Sequence, residues 1–301
     1  MGKILFLGNG LNQVSSGGLS WSDLLNKMQI ELLGESDKLI NAEKPFTLWF
    51  EEFIARSNDD VNTLKSNFIK KLGEIQPNTL HGLALNSGIE NIITTNYDYC
   101  LERAINKEFS SNPKITAETT FSLFRHQEIN NQLIWHIHGE VSKPGSVMLG
   151  MNHYSRYLHK IRDFLKNPVE KNKIKYRSKF NHNEKHSEFE TTQCWVDLFL
   201  EHDVHMIGFG MDYTEQDIWY LLTEKNFLSK QNRTSGKTFF YHFVTNDKDS
   251  EQDQKNKLKD DAKIEILESL GVTIIKIIKN KDDYAGFYED CLEQIQPTST
   301  H

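Results

Sequence analysis

Cysteine is scarce in this chain of 301 residues: Cys100, Cys194 and Cys291 stand far apart and are odd in number. That excludes both a disulfide framework and a CxxC-type zinc module, and each reads instead as a small apolar residue for a buried position. Long apolar runs are missing as well. No stretch approaches the roughly 20 residues that span a bilayer. The opening segment reaches Gly8 after only Ile4-Leu5-Phe6-Leu7, too short for a signal-peptide core. These two absences predict a soluble, cytoplasmic protein with no membrane partner. A basic excess is also lacking, since the formal net charge is -7. A surface built throughout for nucleic acid is thereby excluded, and direct nucleic-acid binding is not expected. A small molecule or a protein is the expected partner. Internal repeats, long low-complexity tracts and clustered carboxylate motifs for metal are absent too.

What the chain has is alternation. Its hydrophobic content of 38% allows one sizeable core with a satellite of helices. Short apolar runs bounded by glycine or polar turns predict buried strands at Ile4–Leu7, Ile92–Thr95, Leu133–Ile137, Val204–Gly208, Thr238–Val244 and Val272–Ile278. Helical spacing falls between them: Trp21–Leu33 puts Leu24, Leu25, Met28 and Leu32 on one stripe, and Leu48–Ala55 and Val61–Leu72 follow. The fold class this predicts is α/β, a Rossmann-like doubly wound parallel sheet in a single domain over residues 1–301. The gap between the first two strands exceeds one crossover, so residues 37–78 are read as a helical insertion. Residues 143–193 form a second, basic insertion. Within it Arg156 to Glu188 carries ten Lys or Arg against four acids, together with His159, His182 and His186, and it reads as a lid, a docking surface or a solvated loop with a helix. Asp247 to Asp261 is charged throughout and is read as a surface connection.

Four strand ends carry residues suited to chemistry. The first strand runs into Gly8-Asn9-Gly10-Leu11-Asn12, then Gly17-Gly18, then a helix near Ser20-Trp21-Ser22-Asp23. Glycines admit close approach of phosphates, and a following helix offers unpaired N–H groups. Gln13 breaks the GxGxxG dehydrogenase pattern and no GKS or GKT follows, so neither that fingerprint nor a P-loop is present. On spacing alone the loop serves equally as a tight turn. The second strand ends in Thr94-Thr95-Asn96-Tyr97-Asp98, where an Asn can hold a water or a ribose hydroxyl, though the same residues also make turns and helix caps. The third ends in Trp135-His136-Ile137-His138-Gly139-Glu140. Period-two alternation places His136 and His138 on one face, His138 as a candidate base at the edge and His136 as a packed residue. A histidine pair at that spacing also suits metal, but no third ligand stands nearby and none is expected. The fourth, Ile207-Gly208-Phe209-Gly210-Met211-Asp212, precedes a helix from about Glu215 with Asp217 and Trp219, and alone it is a plain junction.

Together and in this order, the four motifs resemble the sirtuin-like (silent information regulator-like) family over most of the chain. The resemblance implies NAD as substrate. It places the pyrophosphate at Gly8, Asn9, Gly10, Leu11 and Asn12, the nicotinamide ribose at Thr95, Asn96 and Asp98, the catalytic base at His138, and the adenosine end at Gly208 and Gly210. Protein-deacylating sirtuins differ in two respects: they carry a four-cysteine zinc module and have Gln where this chain has Thr95. The pattern is closer to bacterial antiphage effectors that hydrolyse NAD, so the resemblance implies an NAD+ glycohydrolase releasing nicotinamide and ADP-ribose. The chain closes soon after its last strand with the polar Pro297 to His301, so control is expected from homo-oligomerisation or a separate protein such as a HerA-like ATPase. Two other readings stand beside this one: a non-catalytic sensor of NAD or ADP-ribose, and a nucleic-acid-processing subunit acting with an ATPase through the basic stretch.

Overall fold

The computed structural model describes residues 2–34, 40–41, 43–72, 75–112, 121–171, 174–181, 193–245 and 251–296. All six strands expected from the sequence occur: β1 (Lys3–Leu7), β2 (Asn91–Thr94), β4 (Gln132–His136), β7 (Asp203–Ile207), β8 (Thr238–Thr245) and β9 (Val272–Lys279). They lie in one seven-stranded sheet, ordered β3-β4-β2-β1-β7-β8-β9. Every neighbouring pair is parallel except the edge strand β3 (Gln127–Ile129), which runs antiparallel to β4. The α/β doubly wound class is thus the observed one. β1 explains why such strands read as unbroken apolar runs: Ile4 and Phe6 enter one core and Leu5 and Leu7 the other, because helices cover both faces.

β3 was not foreseen, nor was the small antiparallel hairpin of β5 (Val169–Lys171) and β6 (Ile174–Tyr176). Three-residue strands are too short for a periodic signal. Asn130 and Asn131, at φ 47° and 64°, make the left-handed two-residue turn that joins β3 to β4.

The helices, in chain order, are α1 (Gly10–Gln13), α2 (Trp21–Leu33), α3 (Phe46–Arg56), α4 (Val61–Leu72), α5 (Thr79–Leu85), α6 (Cys100–Ile105), α7 (Met151–Lys166), α8 (Trp195–Glu201), α9 (Gln216–Lys230), α10 (Glu251–Ser269) and α11 (Tyr284–Ile295). α2 begins where Ser20 Oγ accepts from the Asp23 N–H and ends at Gly34, φ 70°. Its buried Leu24, Leu25 and Met28 pack with Trp49, Phe50 and Phe53 of α3 and Leu64 and Phe68 of α4, forming a third core distinct from the two beside the sheet. Parts of the expected insertion at residues 37–78 lie outside the described residues.

The basic stretch is more structured than its composition suggests. α7 buries Tyr154, Tyr157, Ile161 and Phe164, Lys160 donates to the Phe121 carbonyl at 2.8 Å, and Lys179 pairs with Glu201 at 2.6 Å. His182 and His186 lie outside the described residues, as does the tail Pro297 to His301. The charged segment read as a connection at 247–261 is corrected: from Glu251 onward it is the first half of α10. All three cysteines are buried, and none is in a disulfide. Among the described residues no helix is long and apolar enough to cross a membrane.

Candidate active site

β1 lies between β2 and β7, so the chain departs from it in both directions. Crevices form at the carboxyl edge of such a switch point. The glycine loop is folded tightly into this edge. The Gly8 N–H donates to the Ile207 carbonyl at 2.9 Å and the Gly10 N–H to the Gly208 carbonyl at 3.0 Å. A Cβ on Gly8 would stand 2.8 Å from the Gly208 carbonyl carbon, and one on Gly10 2.7 Å from Gly208 Cα. The missing side chains therefore let β1 and β7 touch through their backbones. Leu11 is buried in the core. Asn12, 1% exposed, donates from Nδ2 to Asp98 Oδ2 at 2.7 Å and to Asn9 Oδ1 at 3.2 Å, while its Oδ1 meets His81 Nε2 at 2.9 Å. Asp98 Oδ1 in turn accepts from the Cys100 N–H at 3.0 Å. Asp98 and Asn12 thus tie the glycine loop to the end of β2.

Asn96 sits beside them. Its Nδ2 donates to the Gly8 carbonyl at 3.2 Å and its N–H to Thr94 Oγ1 at 3.1 Å. Its own carbonyl is 2.7 Å from His136 Nδ1, and His136 Nε2 is 2.8 Å from Glu102 Oε1. Burial opposes a charge on His136, but the adjacent Glu102 carboxylate and its hydrogen bond outweigh it and raise the imidazole to about 9. His136 is the packed residue expected. Glu140, next along, is held by Arg125 at 2.5 Å and by the Tyr99 hydroxyl at 2.9 Å, which extends a buried polar network behind Asn96.

His138 does not share the face of His136, which corrects the alternation read from sequence. β4 ends at His136 and Ile137 and His138 form a turn closed by the Gly139 N–H on the His136 carbonyl at 3.2 Å, so the strand alternation stops before His138. His138 Nε2 meets Asp217 Oδ2 of α9 at 2.8 Å, and Nδ1 lies 3.5 Å from the Tyr154 hydroxyl of α7. His136 points toward α6 on the opposite face. Glu215, just before α9, stands close enough to His138 and Asp217 to feel both charges. Burial raises its carboxyl to about 7, with His138 acting against that rise and Asp217 adding to it.

Three contiguous chambers run along the sheet edge. The innermost, about 40 Å³, is lined by Thr95, Asn96, Asp98, His138, Tyr154 and Glu215 together with Asn9 and Trp21. It shares Asn9, Trp21, Thr95, Tyr154 and Glu215 with a middle chamber of about 220 Å³. The middle one shares Gln13, Gly208, Phe209 and Gly210 with an outer chamber of about 290 Å³ that reaches His242, Lys263 and Tyr284. Asn96, Asp98 and His138 from the sequence reading are therefore brought to one chamber, with Asn9 and Thr95, while Gly208 and Gly210 lie further along the same cleft. Gly8, Leu11 and Asn12 build the loop beneath it. Among the described residues lining the inner and middle chambers none is Lys or Arg. Among the described residues there is also no group of three or more His, Cys, Asp or Glu arranged to hold a metal.

Sequence reading missed Tyr154, Glu215 and the pairing of Asp217 with His138. Tyr154 lies on one face of α7 within the basic stretch, where only the charge drew notice. The two members of the His138–Asp217 pair are 79 positions apart, and only the fold joins them.

Residues 90–267 match the family model described as "SIR2-like domain", and because that covers more than half of the chain, the protein belongs to the SIR2-like family, as its four strand-end motifs imply. Among curated proteins it is similar to the NAD(+) hydrolase ThsA of Enterococcus faecium, 27% identical over 154 residues, which is 51% of this chain and 31% of that protein. It is also similar to the NAD(+) hydrolase ThsA of Acinetobacter baumannii (strain 532279), 24% identical over 154 residues, 51% of this chain and 30% of the other. The matched stretch thus spans less than a third of either relative's length.

Proposed function

We propose that the cleft binds NAD+ with its nicotinamide riboside in the inner chamber, and that the protein hydrolyses the N-glycosidic bond to give nicotinamide and ADP-ribose. The observation that carries this reading is the meeting of Asn96 and an Asp217-backed His138 in one chamber at the switch point of the sheet. The names of the two similar hydrolases support it.

In the proposed reaction Asn96 holds the ribose and a water, and the bond to the pyridinium nitrogen breaks through an oxocarbenium-like state. Its electron pair leaves with the ring, which departs as neutral nicotinamide, so no acid is needed for the leaving group. The water oxygen bonds to the anomeric carbon and gives its proton to His138. The acidic surroundings, with Glu215 and Asp98 and without Lys or Arg among the described lining residues, favour a cationic ring and the positive charge that passes to the ribose. Thr95, Asn9 and the loop from Gly8 to Asn12 would flank the ribose and pyrophosphate, and Gly208 and Gly210 the adenosine half.

Incubating the purified protein with NAD+ and quantifying nicotinamide and ADP-ribose tests this. Release by the parent, lost in Asn96→Ala and His138→Ala, is the expected result. NAD+ bound but intact would instead mark a sensor or an enzyme awaiting its activating partner. The resemblance to antiphage effectors makes NAD+ depletion during infection the proposed role, with self-association or an activating protein such as a HerA-like ATPase as its control. Loss of phage protection in a His138→Ala strain is the corresponding expectation.

A further inference from the structure

The two ring nitrogens of His138 have different neighbours. Nε2 lies 2.8 Å from Asp217 Oδ2, and Nδ1 faces the Tyr154 hydroxyl at 3.5 Å. His138 and Tyr154 line the inner chamber, whereas Asp217 lies behind them in the first turn of α9, fully buried. A carboxylate accepts and does not donate, so the proton belongs on Nε2 and the free lone pair on Nδ1, the nitrogen on the chamber side. The second carboxylate oxygen, Oδ1, is buried with no hydrogen-bond partner. Burying a carboxylate oxygen without a partner costs stability, and a positive charge arriving on the adjacent imidazole would offset that cost.

We infer that Asp217 is a positioning residue that holds His138 in the Nε2–H tautomer, so that Nδ1 is the base, and that it stabilises the imidazolium formed during turnover. This inference rests on the NAD+-hydrolase reading for its kinetic consequence, but not for the tautomer. When the water attacks the anomeric carbon, its proton passes to Nδ1. The imidazolium then keeps its Nε2–H on Asp217 until Nδ1 returns the proton to solvent, and the carboxylate itself is never protonated.

Nitrogen-15 NMR on histidine-labelled protein, with His138→Ala to assign the signal, reads the tautomer directly. The expected result is Nε2–H in the parent and a shift toward Nδ1–H in Asp217→Asn, whose amide can donate to Nε2. An Nδ1–H tautomer in the parent overturns the inference whether or not NAD+ is cleaved. In the nicotinamide-release assay, kcat is expected to fall about 10⁴-fold in Asp217→Asn, the size seen when the orienting acid of a histidine base is lost. KM should stay within about threefold, and Asp217→Glu should recover part of the rate. An Asp217→Asn protein with parental kcat, or one whose loss lies in KM alone, overturns it equally. A parent that cleaves no NAD+ yet shows the Nε2–H tautomer would fail the proposed function and leave the positioning of His138 standing.

Discussion

Replacing Gly8 by Ala separates two explanations of the glycine loop. If Gly8 is there to let a phosphate approach, the added methyl should weaken NAD+ binding and leave stability nearly unchanged. The geometry predicts the reverse. The new Cβ would stand 2.8 Å from the Gly208 carbonyl carbon and 3.0 Å from Phe209 Cγ, where ordinary contact begins at 3.4 Å. The Gly208 carbonyl oxygen is closer still, and as backbone it cannot rotate aside, so the end of β1 must itself move away from β7. Overpacking of this kind costs about 1–3 kcal/mol. The movement also strains the two backbone bonds, Gly8 to Ile207 and Gly10 to Gly208, each contributing about 1 kcal/mol. A total of about 3–5 kcal/mol corresponds to a fall in Tm of roughly 5–12 °C for a chain of this size. Thermal unfolding followed by circular dichroism, beside NAD+ titration of the folded protein, measures both quantities. A Gly8→Ala protein with parental Tm but weakened NAD+ binding would refute the packing argument.

The His136–Glu102 pair makes stability depend on pH in a defined direction. His136 is raised in the fold to about 9 from its ordinary 6.5, so its contribution is complete below pH 6.5 and is lost as pH rises through 9. The Tm gap between parent and Glu102→Gln should accordingly be wide at pH 6 and narrow by pH 9.5, and a gap independent of pH would show that the imidazole carries no charge. Asp98→Ala removes the acceptor of both Asn12 Nδ2 and the Cys100 N–H and should cost about 2–4 kcal/mol in urea unfolding. An unchanged midpoint would mean that this link between the glycine loop and β2 is not made.

The sheet was legible because its central strands are buried on both faces. Nothing else in a polar chain makes a run such as Ile4-Leu5-Phe6-Leu7 at strand length. The ends of these strands were legible for a related reason: Gly8, Asn96, His138 and Gly208 interrupt apolar runs at the edge where a doubly wound sheet gathers its ligands. Periodicity failed where the chain left the strand. Strict alternation paired His136 with His138, but the chain turns at Ile137 and His138 straight after β4, which sends them to opposite faces and gives them different carboxylates, Glu102 and Asp217. Tyr154 went unread, and Asp217 was named without its partner, because only the fold brings their helices against His138. Charge alone was a poor guide to the basic insertion at 143–193, since a helix can bury four large side chains on one stripe and stay basic on the others.

The backbone seam of Gly8, Gly10 and Gly208 has a mechanical consequence. Many two-sided nucleotide clefts open by hinging one half of the sheet against the other, but here the halves are stitched together at the floor of the cleft. Prising them apart would break the bonds to Ile207 and Gly208 and disturb the edge-on contact of Phe6 with Phe209. The opposite wall has a core of its own. Trp21, stacked on Phe46 and Phe68, stands with α2, α3 and α4 in a cluster apart from the sheet cores, and it roofs both the inner and middle chambers. A motion of α2, α3 and α4 over this floor would leave the backbone bonds of the seam intact, so the seam is the sill of the cleft.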